Sequence, residues 1–221
     1  MTASRISAIN RACGQGRRWE KTNEEILAAA AFAVATLAAL PASAMLQNGV
    51  SAPDFSATGM TGGKQFTFKL SDALKKGPVV VFFFPAAYTE GCTIETQAFS
   101  EKAAEYQAAG ATLIGVTGGA KLADGTFASA KDSLVRLGEF SKEHCRDKFP
   151  MVAISADTVK AYDVSLNDKK PDWSNRTSFV IAPDGKVLLS HTDMAPDSHI
   201  EKTLATVKAW KAAQGGKHTG H

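Results

Sequence analysis

Cys92 stands where a thiol can do chemistry. Residues 79–84 read Val-Val-Val-Phe-Phe-Phe, Pro85 stops the run, Thr89 follows, and Cys92 and Glu95 come next at intervals of three. An unbroken β-branched and aromatic run is a strand buried on both faces. The polar stretch behind it reads as the start of a helix, with Cys92 in its first turn. There, free N–H groups and the positive end of the helix dipole favour the thiolate, the nucleophilic form of the side chain. The plain alternative is an inert, buried cysteine acting as a small hydrophobe. Likewise Thr89 can be a helix-entry or N-cap residue, and Glu95 a solvent-facing helix carboxylate.

The rest of the cysteine inventory is sparse. Besides Cys92 there are Cys13 and Cys145, with no C-x-x-C and no Cys/His cluster at zinc spacing. That excludes a disulfide scaffold and a structural zinc site, and no metal or other cofactor is expected. Apolar residues make up 44% and charged residues 21%, values of an ordinary globular chain. A formal net charge of +3, without Lys/Arg clusters interleaved with aromatics, gives no reason to expect a nucleic-acid partner.

The front of the chain reads as an address. Arg5, Arg11, Arg17, Arg18 and Lys21 precede an Ala-rich apolar run over residues 26–40, and Pro41-Ala42-Ser43-Ala44 follows. A basic region, a short apolar core and a small-x-small site make a secretory signal peptide over 1–44, cut after Ala44. The apolar run falls short of the roughly 20 residues that span a bilayer. Export to a bacterial periplasm is the expectation, with no membrane association after cleavage. The residues after Arg17-Arg18 do not continue a twin-arginine signal. Cleavage removes Cys13 and leaves two thiols in an oxidising compartment.

Behind the leader, residues 45–214 alternate strands and helices as one α/β domain. Residues 49–55 form a turn-rich lead-in. Phe66, Phe68 and Leu70 alternate with polar residues as in a half-buried strand. Residues 71–74 read as a capped helical turn, and 79–84 and 112–117 as buried strands. The segment 118–130 is polar and Gly-rich and reads as a long surface loop. A helix carrying Leu134, Leu137 and Phe140 ends near Cys145, and a strand follows at 151–155. Residues 158–164 form a short helix or turn, and 167–173 a polar loop. Strands at 177–182 and 186–191 flank Pro183-Asp184-Gly185, a hairpin signal. Ser198-x-x-Glu201 reads as a capping box for the last helix, and 215–221 as a disordered tail. His191 and His199 read as surface histidines.

Pro85-x-x-x-Thr89-x-x-Cys92 resembles the active-site signature of the peroxiredoxins (the AhpC/TSA family). The wider stretch from Phe84 through Glu95 to Phe99 is similar to the bacterioferritin comigratory protein branch. Ala52-Pro53-Asp54-Phe55, Phe149-Pro150 and the run from Arg176 to Gly185 match further family segments in the right order. The resemblance implies a thioredoxin-like fold, a central mixed sheet with helices on both faces. It implies a peroxidase for hydrogen peroxide or organic hydroperoxides, with an external thiol reductant, a thioredoxin-like protein or a small thiol, and a monomeric or homodimeric state. On that resemblance Cys92 is the peroxidatic nucleophile and Thr89 orients the peroxide. Pro85 shields the site, Arg176 supplies fixed positive charge, and Glu95 positions Arg176. Read without Cys92 beside it, Arg176 is an ordinary strand-edge arginine.

One departure stands out. The second cysteine that many members of that branch carry five residues after the first is here Gln97. Cys145 is then expected to resolve the sulfenic acid, the alternative being a one-cysteine enzyme with Cys145 incidental. Two other functions compete on the same fold. An exported thiol–disulfide oxidoreductase would want C-x-x-C where Cys92-Thr93-Ile94-Glu95 stands. A copper-delivery protein would want C-x-x-x-C plus a distant histidine, and position 96 is Thr96.

Overall fold

The computed structural model describes residues 46–215. The leader expected over 1–44, its cleavage point, Cys13 and the tail from 216 onward lie outside the described residues. In chain order the elements are β1 (Ser56–Thr61), β2 (Lys64–Lys69), α1 (Leu70–Leu74), β3 (Val79–Phe83), β4 (Ala86–Ala87), α2 (Glu90–Ala108), β5 (Thr112–Thr117), β6 (Gly119–Lys121), β7 (Phe127–Ser129), α3 (Leu134–Phe140), a π-helical turn (Ser141–Cys145), β8 (Met151–Ala153), α4 (Ala156–Ala161), β9 (Thr177–Ile181), β10 (Val187–Thr192) and α5 (Pro196–Gly215).

Seven strands form one mixed sheet in the order β10-β9-β3-β5-β8-β1-β2. β3, β5 and β8 run parallel, while β9 pairs antiparallel with β3 and β1 antiparallel with β8. β3 is buried along its whole length, which its unbroken apolar sequence requires. Its side chains alternate between two cores. Val80, Phe82 and Phe84 join Phe99 and Tyr106 of α2, Leu137 and Phe140 of α3, and Leu204 and Val207 of α5. Val79, Val81 and Phe83 join Leu70 and Leu74 of α1, Val159 of α4, and Tyr162 just beyond it. Helices therefore cover both faces, as expected. Phe82 is the centre of the first core: its ring lies 4.2 Å from that of Phe99 and 5.6 Å from that of Phe149. This stack seats α2, and with it Cys92, on the sheet.

Four expectations change. Residues 118–130 are not a plain loop: β6 and β7 pair with each other, and β6 pairs parallel with β4. Their sequence hides this because it uses small residues for close approach. A Cβ on Gly118 would overlap the Asp172 carbonyl, and one on Gly119 the Trp173 ring. β1 was not expected either. It packs with Ala57 and Gly59 rather than β-branched residues, and a Cβ on Gly59 would overlap the Met151 carbonyl. The caps also differ. The last helix begins at Pro196, so Ser198 lies inside its first turn, where its hydroxyl binds Asp193 and Ala195. Lys69, the N-cap residue of α1, offers no side-chain cap; Asp54 Oδ1 instead accepts from the Ser71 N–H at 2.9 Å. Gly215, expected in the tail, closes α5.

Candidate active site

The site starts where β3 runs out. Phe84 N–H still bonds the Val116 carbonyl, 3.1 Å, and then Pro85 turns the chain. The Pro85 carbonyl accepts from the Thr117 hydroxyl at 3.2 Å. β4 is stitched to β6, and Tyr88 follows in the left-handed region at φ 64°. Thr89 is the N-cap residue of α2, yet its hydroxyl caps nothing in the helix. It donates instead to the Ala86 carbonyl at 2.9 Å, beside the Cys92 thiol. Cys92 sits in the first turn of α2, 1% exposed.

Arg176 arrives from the entry of β9. Its Nη2 lies 3.8 Å from Cys92 Sγ, and its Nη1 donates to Glu95 Oε2. Glu95 is fully buried and Arg176 is 4% exposed, so neither is the solvent-facing residue that its position alone allows. Gly91 makes room for the guanidinium: a Cβ there would stand 2.9 Å from Nη2. Arg176 Nε and Glu95 Oε1 have no protein partner, which leaves a buried donor and a buried acceptor in the Arg176–Glu95 pair. Burial pushes the Cys92 thiol up from its ordinary range. The Thr89 hydroxyl, the Ala86 backbone and Arg176 pull it down, and Glu95 pushes it up. Burial also pushes the Glu95 carboxyl up, against the pull of Arg176. The structure thus joins Thr89, Cys92, Glu95 and Arg176 in one place, 84 residues of sequence separating the cysteine from the arginine, while Pro85 is tied through its carbonyl to Thr117.

Residues 49–190 match the model of the AhpC/TSA family. The chain belongs to that family. It is a peroxiredoxin, a thiol-dependent peroxidase on a thioredoxin-like fold. A Mycobacterium tuberculosis protein designated a peroxiredoxin is 33% identical over 169 residues, covering 74% of this chain and 97% of the relative. The crystal structure of peroxidoxin BcpB from the same organism aligns with a TM-score of 0.61 at 29% identity, over 74% of this chain and 97% of that one. Mycobacterium tuberculosis AhpC shares the fold, with a TM-score of 0.58 at 21% identity, over 77% of this chain and 96% of that one.

The second thiol of this peroxiredoxin lies elsewhere. Cys145 closes the π-helical turn, fully buried. Its Sγ donates to the Ser141 carbonyl at 3.0 Å and lies 3.2 Å from Ser141 Oγ. Its own carbonyl accepts from Ser100 at 3.1 Å, and Ser100 stands about 12 Å of helix rise beyond Cys92. Cys92 and Cys145 are both free thiols in this conformation. Burial pushes Cys145 up as well, and no cation is among the causes of its shift.

His199 is a correction to the sequence reading: it is fully buried. Its Nε2 donates to the Asp193 carbonyl at 3.0 Å, so its Nδ1 accepts from Ser178 at 2.9 Å. Burial lowers it to about 4. His191 is half-buried, with Nε2 2.9 Å from Ser198 Oγ. Among the described residues, no group of three or more His, Cys, Asp or Glu side chains is placed to hold a metal ion. Sequence reasoning passed over Gly91, Thr117 and Tyr88. A glycine in the first turn of an otherwise good helix was the available signal for the first; nothing local marked the other two.

Proposed function

We propose that Cys92 is the peroxidatic thiol and reduces hydrogen peroxide or a small organic hydroperoxide. The observation that carries this reading is the guanidinium of Arg176 3.8 Å from Cys92 Sγ, with the Thr89 hydroxyl on the same sulfur. The Cys92 thiolate attacks one peroxide oxygen. An S–O bond forms and the O–O bond breaks, giving a sulfenic acid and an alkoxide or hydroxide that takes up a proton. Arg176 stabilises charge on the leaving oxygen, its unpaired Nε supplying a donor already in place. Thr89 orients the peroxide, Pro85 shields the sulfur from water, and Glu95 aims the guanidinium.

Cys145 is the resolving thiol in this reading. Its sulfur attacks the sulfenic sulfur, water leaves, and a disulfide forms. Reaching Cys92 requires the Ser141–Cys145 turn to unwind. Its irregular bonding and the two left-handed residues behind it, Arg146 and Asp147, favour that opening. An external thiol then reduces the disulfide. The basic, apolar and small-residue leader supports export, so that this cycle runs in the periplasm. The disulfide-exchange and copper readings find less support, because Glu95 is committed to Arg176 and His191 to Ser198.

Purified chain from residue 45 onward should consume hydrogen peroxide with a thiol reductant, and Cys92→Ser should abolish it. Activity surviving that change rejects the assignment. After one equivalent of peroxide, loss of two hydrogens in the intact mass marks the Cys92–Cys145 disulfide; gain of one oxygen marks one-cysteine chemistry. N-terminal sequencing of the exported product tests the cut after Ala44.

A further inference from the structure

Tyr88 is the residue next to Thr89, and it is held in a backbone conformation that bulky side chains seldom adopt, φ 64°. Something must hold it there. Its side chain leaves the Cys92 loop and crosses to the helical segment that ends in Cys145. The Tyr88 hydroxyl donates to Glu143 Oε2 at 2.9 Å. The Arg136 guanidinium lies over the ring face, 3.4 Å from its centroid, and the rings of Phe140 and His144 stand at 5.0 and 5.6 Å. Arg136 is itself held by Glu139 at 2.9 Å, and His144 Nδ1 lies 3.3 Å from Gln97 of α2. Glu143 and His144 belong to the π-helical turn. Every contact of the Tyr88 tip therefore falls on α3 or on that turn.

We propose that Tyr88 is a positioning residue for the peroxide step, fastening the Cys92 loop to the Cys145-bearing turn. The loop takes the reactive arrangement only while that turn is wound. When Glu143 and His144 move with the opening turn, Tyr88 loses its hydroxyl acceptor and one ring neighbour, the strained backbone at 88 relaxes, and Thr89 and Cys92 leave Arg176. This inference rests on Cys92 being the peroxide-reactive thiol.

The test measures the second-order rate of sulfenic acid formation by stopped flow in Tyr88→Phe, Glu143→Ala and the double variant. Amide hydrogen exchange over residues 141–148 is followed in parallel. Each single change should slow the peroxide step about three- to tenfold, the worth of one hydrogen bond. The double should be no slower than the slower single. Exchange in the turn should quicken, and Glu143→Gln, which keeps an acceptor oxygen, should restore the rate to within twofold. Either single variant within twofold of the wild type, or a double whose loss is the product of the two, overturns the proposal. So does slowing without quicker exchange, which marks a merely local role. If wild-type chain shows no Cys92-dependent peroxide consumption, the functional reading fails by itself. Unchanged exchange in Tyr88→Phe would then overturn the clamp independently.

Discussion

Two buried thiols in one molecule occupy opposite kinds of surroundings. Cys92 lies in the first turn of a regular 19-residue helix, with a guanidinium and a hydroxyl at its sulfur. Cys145 lies at the end of a five-residue π-helical turn, with carbonyls and the Ser141 hydroxyl around its sulfur. Burial pushes both thiols up. Burial is thus not what distinguishes the two thiols. The difference lies in fixed positive charge on one side and an irregular, openable backbone on the other.

That contrast can be broken by taking apart either surrounding. The largest effect should come from Glu95→Ala. It strands the Arg176 charge in a site where both partners are almost wholly buried, and should cost about 3–5 kcal/mol of stability by denaturant unfolding. Next comes a pH effect behind the Arg176 strand. His199 stays neutral in the fold down to about 4, whereas the unfolded chain takes up its proton near 6.5. Stability contributed by this group is therefore present above about 6.5 and lost as pH falls from there toward 4, by at most about 3 kcal/mol. His199→Gln should flatten that part of the stability curve. Arg176→Met should then slow peroxide attack about a hundredfold, the loss of a charged donor from a buried site. It should also move the Cys92 titration further up, because one of the groups pulling it down is gone. Smallest of all, Cys145→Ser should leave first-turnover peroxide attack within about twofold, since Ser keeps the bonds of a side chain remote from the peroxide. A large loss there would erase the distinction between the two thiols.

How much of this could be read from the chain depends on how local each feature is. The strand 79–84, Pro85, Thr89 and Cys92 are contiguous, and burial on both faces of β3 follows from its composition alone. Arg176 reached the site only through the family resemblance, because nothing near residue 176 announces a partner 84 positions away. The β6–β7 hairpin escaped notice because small and polar residues serve its close approaches, leaving no period-2 signal. His199 was misplaced for a related reason. A histidine whose two nitrogens are both satisfied inside the fold looks, in sequence, like any polar residue in a helix. The reach of Tyr88, 55 positions to Glu143, likewise leaves no local mark.

The pairing of β6 with β4 has a practical side. Residues 122–126 form the tip of the hairpin, where Leu122 and Thr126 close the turn and Gly125 takes φ 85°. Two backbone ladders, β7–β6 and β6–β4, lie between the tip and the Cys92 loop. A reporter peptide spliced into that tip tests whether the ladders pass strain on to the Cys92 loop. Any graft of this hairpin must carry Gly118 and Gly119, where a side chain would meet Asp172 and Trp173.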